Sequence, residues 1–516
     1  LKTATWDAGA ETEALTEPAN WEGDVTPNLT DGNTIIKFAA GEKAVVDTAA
    51  NMAGVAIETS SNFTLEKTAG GSLALGGRGI EMKSGKNFEI KIPMTVAEDQ
   101  SWRGSGRINV REPLTGAADR VITVQSGTVG LYASSPDYKG TFNFKAGSIA
   151  KIFAAPNLFG DAAAGTPVTV DFANKTLFDF FGGTIDRPMS LTTGSNMTGT
   201  PIIIHDEASS GSGATVFSAP VTIAGASALS VQVGGGTTNL ISGGLTSAPL
   251  INVVGNGLTK IAEEPAYLTQ GIAFVSDGGR LELAAVSNGI GRIDMAKSKN
   301  CRLDLTVDEA AAWVTSHGLT GAPIVSVGTN GVIDVHGTYQ TLRNVNLTEP
   351  SARVTGEADS TLRVICHEDA TWEGIATGGV TLSVGGGSAL TLKGANTSTG
   401  GLLCNAGRIV LESGASWAGT NVVLTAETSA SKRLVLKDSS ALANGRHTVL
   451  RLEGAAQVEL AAGVEQKVRR LEFDGRSCGA GTWGSSASSA THKDDVHFAG
   501  PGVLDVRGGG LAIIIR

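Results

Sequence analysis

The sequence predicts an all-β protein, an elongated parallel β-helix (β-solenoid) with N- and C-terminal capping modules. Three observations carry that expectation. Gly holds 69 of 516 positions while aromatics make up only 5%, so the core is built from small and aliphatic side chains and the chain turns often. Apolar and polar residues alternate in runs of roughly four to seven residues, closed by Gly, Asn, Asp or Ser about every 8–12 residues. The chain is also longer than the roughly 250–300 residues at which one compact core stops growing. Its composition is nevertheless even from end to end and no linker is visible, which suits a stack of coils better than separate domains.

Taken in chain order, residues 1–50 read as an N-terminal capping module, with strands at Thr34 to Phe38 and Lys43 to Asp47. Residues 51–440 read as the β-helix rod. Its expected strands include Phe88 to Ile92, Val121 to Gln125, Val168 to Phe172, Pro201 to His205, Leu229 to Val233, Ile251 to Val254, Arg280 to Leu283, Ile324 to Val327 and Val332 to Val335. Thr361 to Ile365, Thr381 to Val384, Arg408 to Leu411 and Leu434 to Leu436 follow. Coils of roughly 20–25 residues would give about 20 or more rungs. At ~4.8 Å each, the rod would be on the order of 100 Å long. Thr306-Val307-Asp308-Glu309 has the order of a capping box. A short surface helix is therefore expected near 306–317, pinned by Trp313. Residues 441–507 read as a closing module, and 508–516 as a Gly hinge with an apolar terminal strand.

Charge and composition exclude several classes. The 40 Lys+Arg against 50 Asp+Glu give a formal net charge of −10; without a basic cluster this argues against a nucleic-acid partner. No run approaches the roughly 18 apolar residues of a membrane span. Residue 1 is Leu and no targeting segment follows it, so the chain reads as a processed product or a trimmed one. Cys301, Cys366, Cys404 and Cys478 are too few for a disulfide scaffold and too far apart for a metal knuckle. They read as buried free thiols, with one or two bridges left open for an exported protein.

Candidate chemistry is sparse. His492-Lys493-Asp494-Asp495-Val496-His497 is the densest reactive cluster. On a strand, Asp495 and His497 share a face, but a polar loop in which Asp495 fixes a turn before Phe498 is the preferred reading. Asp334-Val335-His336 and His367-Glu368-Asp369 come next; no acidic pair recurs at rung spacing, so an enzymatic cleft is not expected. Gly234 to Gly236 and Gly385 to Gly387 lack a following Lys-Ser/Thr and read as corners. Trp6, Trp21, Trp102, Trp372, Trp417 and Trp483 would stack on sugars only if exposed. The sequons at Asn28, Asn62, Asn174, Asn196, Asn346 and Asn396 are explained by chance in a Thr-rich chain. No catalytic residue, metal ligand or cofactor is assigned.

A loose internal repeat gives the chain a resemblance. Leu390-Thr391-Leu392-Lys393-Gly394-Ala395-Asn396-Thr397 is followed by Gly400-Gly401 and Asn405-Ala406-Gly407-Arg408-Ile409-Val410-Leu411. A weaker copy runs Gly257-Leu258-Thr259-Lys260, Gly271, then Asp277-Gly278-Gly279-Arg280-Leu281-Glu282-Leu283. This pattern resembles the autotransporter-associated β-strand repeat of bacterial exported passenger proteins. Trp6-Asp7, Asn20-Trp21-Glu22-Gly23, Pro27, Asp31-Gly32 and Phe38 are similar to the opening module of such proteins. Leu471 to Gly475, Gly481 to Ser486 and Asp495 to Val506 are similar to the closing one. The resemblance implies a bacterial protein, secreted or at the cell surface, while the membrane-embedded barrel that follows a true passenger is missing from this sequence.

The tail Gly508-Gly509-Gly510-Leu511-Ala512-Ile513-Ile514-Ile515-Arg516 carries a β-prone run without an internal charge, which left exposed would favour edge pairing. It either covers the end of its own helix or adds a strand to a neighbour. The expected function is an exported, non-enzymatic structural protein that polymerises head to tail. Leu511, Ala512, Ile513, Ile514 and Ile515 would be the assembly strand, and the module around Trp6, Trp21 and Phe38 its acceptor. The expected partner is the chain itself, with surface glycans as a further one. The alternatives are a polysaccharide-binding adhesin, including a trimeric phage spike, and a β-helix polysaccharide lyase or hydrolase.

Overall fold

A computed structural model describes residues 1–153, 155–172, 176–194, 202–205, 213–311, 321–426 and 433–508. The chain forms two compact units, residues 1–264 and 265–516. Both are parallel β-solenoids, with about 18 turns between them and a helical content of 1%. The strands fall where alternation placed them, with ends moved by a residue or two. Thr34–Phe38, Leu229–Val233, Ile251–Val254, Ile324–Val327 and Arg408–Leu411 match the expected bounds.

In the first unit, one sheet runs from Lys2–Trp6 through Thr34–Phe38, Ala49–Ile57 and Ser72–Met82, each strand parallel to the next. A second sheet stacks Lys43–Val46, Phe63–Lys67, Asn87–Ile90, Arg107–Val110 and Gly127–Leu131 in the same way. A third begins at Gly183–Ile185 and continues through Ala214–Phe217, Thr238–Ile241 and Leu258–Ala262. In-register stacking places one residue of each strand above its equivalent on the next turn, so inward positions form apolar columns.

The second unit follows the same rule. Leu281, Leu303 and Ile333 stack in register, all with zero exposure; burying an aliphatic side chain of this size is worth roughly 1.5–3 kcal/mol. Corners demand glycine where the backbone is left-handed. Gly386 has φ 89°, and a Cβ there would lie 2.2 Å from the Cys366 carbonyl oxygen. Turn lengths vary: Leu382 and Leu402 pair across 20 residues, Asp304 and Asp334 across 30. Longer turns lower the rung count below the expected 20.

Of the helix expected near 306–317, residues 306–311 are described, and they are not helical. Glu309 has φ 50°, Asp308 Oδ1 accepts from the Tyr339 N–H, and Glu309 N–H donates to the Tyr339 carbonyl. The segment is drawn into the ladder because those cross-turn bonds satisfy the groups that a helix would have used. Residues 312–320, including Trp313, lie outside the described residues. At the end of the second unit the pairing turns antiparallel. Arg470–Phe473 and Arg476–Ser477 form a hairpin through Asp474 (φ 45°) and Gly475 (φ 75°), the Asp-Gly turn that two-residue hairpins favour. Gly481–Gly484 runs antiparallel to Val503–Val506, which lies parallel to Glu465–Val468.

Candidate functional site

The predicted acceptor residues are core residues. Trp6 and Trp21 meet edge to face at 5.3 Å, and Trp6 lies 6.0 Å from Phe38, all three at most 1% exposed. Trp21 Nε1 donates to the Leu15 carbonyl. The segment between these strands runs along the first turn: Leu15 and Glu13 bond to Val45, Asn20 and Glu22 to Asp7 and Thr5, and Leu29 to Asn51. The rings therefore offer no surface to an incoming strand. Leu511 to Ile515 lie outside the described residues.

The tryptophans that would stack on sugars only if exposed are mostly closed. Trp102, Trp372 and Trp417 are buried and donate their indole N–H to Gln100 Oε1, the Val345 carbonyl and the Gly400 carbonyl. Trp483 is half-buried and stacks on His492 at 4.5 Å.

In the second unit the structure gathers a polar cluster that only Asp334 and His336 announced. Glu282 pairs with Asp304, and Asp304 with Asp334, on successive strands. Carboxylates thus do recur at rung spacing. The 30-residue step from Asp304 to Asp334 hides the second pair from a search at 20–25 residues; a pattern search allowing longer turns would have met it. Asp304 is 4% exposed. Arg302 Nε lies 2.6 Å from Asp304 Oδ1, and another of its guanidinium nitrogens 2.6 Å from Asp334 Oδ2. His336 Nε2 lies 2.8 Å from Asp304 Oδ1 and 3.6 Å from Asp334 Oδ2, and Arg280 approaches Asp304 at 3.5 Å. Burial works against the Arg302 charge, yet Asp304 and Asp334 outweigh it and raise its pKa above the ordinary value.

Asp304, Asp334 and His336 place three donor atoms within 4.8 Å of one another, a set with metal-ligand chemistry. Arg302 already bridges the two carboxylates, so a cation would have to displace it. The arrangement is a closed ion-pair network.

The other sequence candidates are turn-formers. Asn344 donates to Glu368 and accepts from the His367 N–H, while Asp369 accepts from Ala389 N–H. Asp495 accepts from the Ser486 N–H and Phe498 is buried, as the loop reading expected. His497, however, pairs with Asp494 rather than sharing a face with Asp495, because 495–497 is a turn.

Cys301 and Cys366 are buried free thiols, Cys404 is buried too, and Cys478 is half-buried and free. Burial pushes the Cys366 thiol up to about 11, and those of Cys301 and Cys478 upward too, which keeps them protonated and unreactive near neutrality.

One surface was missed. Ser101, Thr123, Asn143, Thr169, Ser190, Thr222 and Thr246 occupy one outward column on consecutive strands of the first unit. No side-chain hydrogen bond engages these seven among the described residues. Each lies between two buried residues of a short strand, so aligning such polar positions from strand to strand was the available signal. A recess of about 290 Å³ in the same unit is lined by Thr30, Asn51, Ser72, Thr95 and small aliphatic residues, without an ionisable group.

Compared with known proteins, the chain matches no family model, no curated protein and no solved structure.

Proposed function

We propose that this chain is an exported structural protein of a bacterial surface, a non-enzymatic β-solenoid that assembles head to tail. The observation that carries the reading is how the outer faces use their charges. Lys37, Glu58 and Lys83 form one chain of contacts across turns, and Lys43, Glu66 and Lys91 another. Glu89 pairs with Arg111, Glu373 with Lys393, Glu412 with Lys437, and Arg451 and Arg470 both with Glu472. Carboxylates and cations committed to one another in this way suit a scaffold better than acid–base chemistry.

The resemblance to autotransporter-associated repeats supports export. The β-prone run Leu511 to Ile515 supports assembly through a donated strand; with Trp6, Trp21 and Phe38 buried, its acceptor would be backbone edge near them. Negative-stain electron microscopy across concentration, with and without residues 508–516, tests this. Filaments or sheets that vanish on truncation are the expected result. Isolated particles in both samples, or assemblies indifferent to truncation, overturn it.

A polysaccharide-binding adhesin is the second reading, favoured by the uncharged column from Ser101 to Thr246. Unengaged hydroxyls and an amide suit a neutral glycan, and retention of the non-assembling chain on such a polymer would select this reading.

A further inference from the structure

Two arginines of the second unit depart from the pairing of charges described above. Arg343 lies on strand Tyr339–Leu347 and Arg363 on its parallel neighbour Thr361–Cys366. Leu342 and Val364 pair in register with zero exposure, so Thr341, Arg343, Arg363 and Ile365 on either side of them share the outer face. Thr341 opposes Arg363 and Arg343 opposes Ile365. The two arginines are therefore diagonal neighbours, roughly 8 Å apart at Cα. Both are half-buried. Among the described residues neither guanidinium has a hydrogen-bond or ion-pair partner, and both Nε–H groups are buried without an acceptor.

The neighbouring carboxylates are engaged elsewhere. Glu309 feels the charge of Arg363, but its hydrogen bond comes from Thr341. Glu368 accepts from Asn344, and Asp369 from the Ala389 N–H. On the following strand, Thr381–Gly386, Gly385 opposes Ile365. A Cβ on Gly385 would lie 3.7 and 3.8 Å from Arg363 Nε and Nη2, and 3.3 Å from Asn405 Oδ1. Arg363 thus leans over Gly385, into the column that Arg343 and Ile365 occupy. Ile365 becomes an apolar floor with Arg343 on one side and Arg363 beside Asn405 on the other.

We propose that Arg343 and Arg363 form an anion site that takes the carboxylate or sulfate groups of an acidic polysaccharide. Buried donors that a fold leaves without acceptors mark places where a group from outside completes the bonding. The planar guanidinium fork matches a carboxylate or sulfate with two parallel bonds. Two cations are too few for the dense phosphates of a nucleic acid, whose binding grows with the number neutralised. They suit a polymer whose acid groups are spaced by sugar rings and which lies across an outer sheet face. The inference goes beyond both readings above. It needs no assembly, and the site is separate from the uncharged column of the first unit, so its failure would leave them standing.

The experiment is affinity electrophoresis of the full chain in native gels holding polygalacturonate, dextran sulfate or neutral dextran. Retardation by a charged polymer and not by neutral dextran is the expected result, and the stronger of the two charged gels identifies carboxylate or sulfate as the group bound. Arg343→Gln and Arg363→Gln should each weaken retention about tenfold, the loss of one charge-assisted bond. Arg363→Lys keeps the charge without the fork and should fall between. Arg476→Gln, at an exposed arginine of the hairpin, should retain the wild-type value. Hydrogen exchange of the wild-type chain with the retarding polymer should gain protection within 339–346, 361–368 and 383–406. Where a glutamine variant loses its circular dichroism, that footprint decides. No retardation by either charged polymer, unchanged retention in either folded glutamine variant, or a footprint outside these segments overturns the proposal.

Discussion

Arg187 has zero exposure, and its guanidinium donates to the carbonyls of Gly140, Phe159, Asp161 and Thr166. Burial pulls its pKa below the ordinary value. One side chain thus satisfies the backbone of an excursion between turns, which would otherwise leave acceptors buried without donors. Arg187→Met keeps much of the volume and removes every donor. It should cost about 3–5 kcal/mol, read by urea denaturation, with protection of 155–167 lost first. Nothing in Asp186-Arg187-Pro188 marks this role, because the acceptors come from 21 to 47 residues away. The thiols were legible for the opposite reason: a cysteine in an alternating strand is expected inside, and Cys366 and Cys404 are.

Strands were the most legible elements, since alternation with period two needs no knowledge of the partner. Corners were less so, because their hydrogen bonds cross turns. Asn396, 1% exposed, accepts from Ala376 N–H and donates to the carbonyls of Gly394 and Ser416. Asn288 does the same with Ala266, Ala285 and Ala310. Each amide ties three consecutive turns together at a corner. The Gly-Ala-Asn-Thr motif therefore has a structural reason for its Asn, and its sequon is closed to modification once folded. Asn396→Ala should strand three backbone groups and cost about 2–4 kcal/mol, with exchange protection falling across 370–420; Asn396→Asp should be no milder, because it keeps the acceptor but turns a buried carboxylate oxygen toward two carbonyl oxygens. The capping-box residues are a further case. Asp308 and Glu309 found partners in the next turn at Tyr339, which local sequence order does not contain.

For the molecule as a whole, the solenoid was legible from evenness and turn spacing, but the register was not. Register decides which charges meet, and a 30-residue step is enough to conceal the Asp304–Asp334 pair. In-register stacking brings equivalent side chains within about 5 Å, where like charges repel and opposite charges attract. Opposite charges on neighbouring turns thus favour stacking, as where Lys37, Glu58 and Lys83 meet at 2.9 and 2.6 Å, whereas the in-register carboxylates Asp304 and Asp334 are held together by Arg302. Hydrogen bonds from Lys83 and then Lys37 hold the Glu58 carboxyl below the usual range, despite some desolvation. The sign follows: a depressed carboxylate stabilises above its unfolded value, near 4.3, and the contribution fades as pH falls through the lower folded value. At neutral pH Glu58→Gln should unfold at lower temperature, by no more than about 1 kcal/mol for an exposed pair, and the deficit should shrink in 1 M salt. As pH falls below about 4, the two melting curves should converge, because protonated Glu58 becomes a near equivalent of Gln. A constant offset at every pH would assign Glu58 to packing, and the outer charges would then matter for solubility rather than for holding one turn on the next.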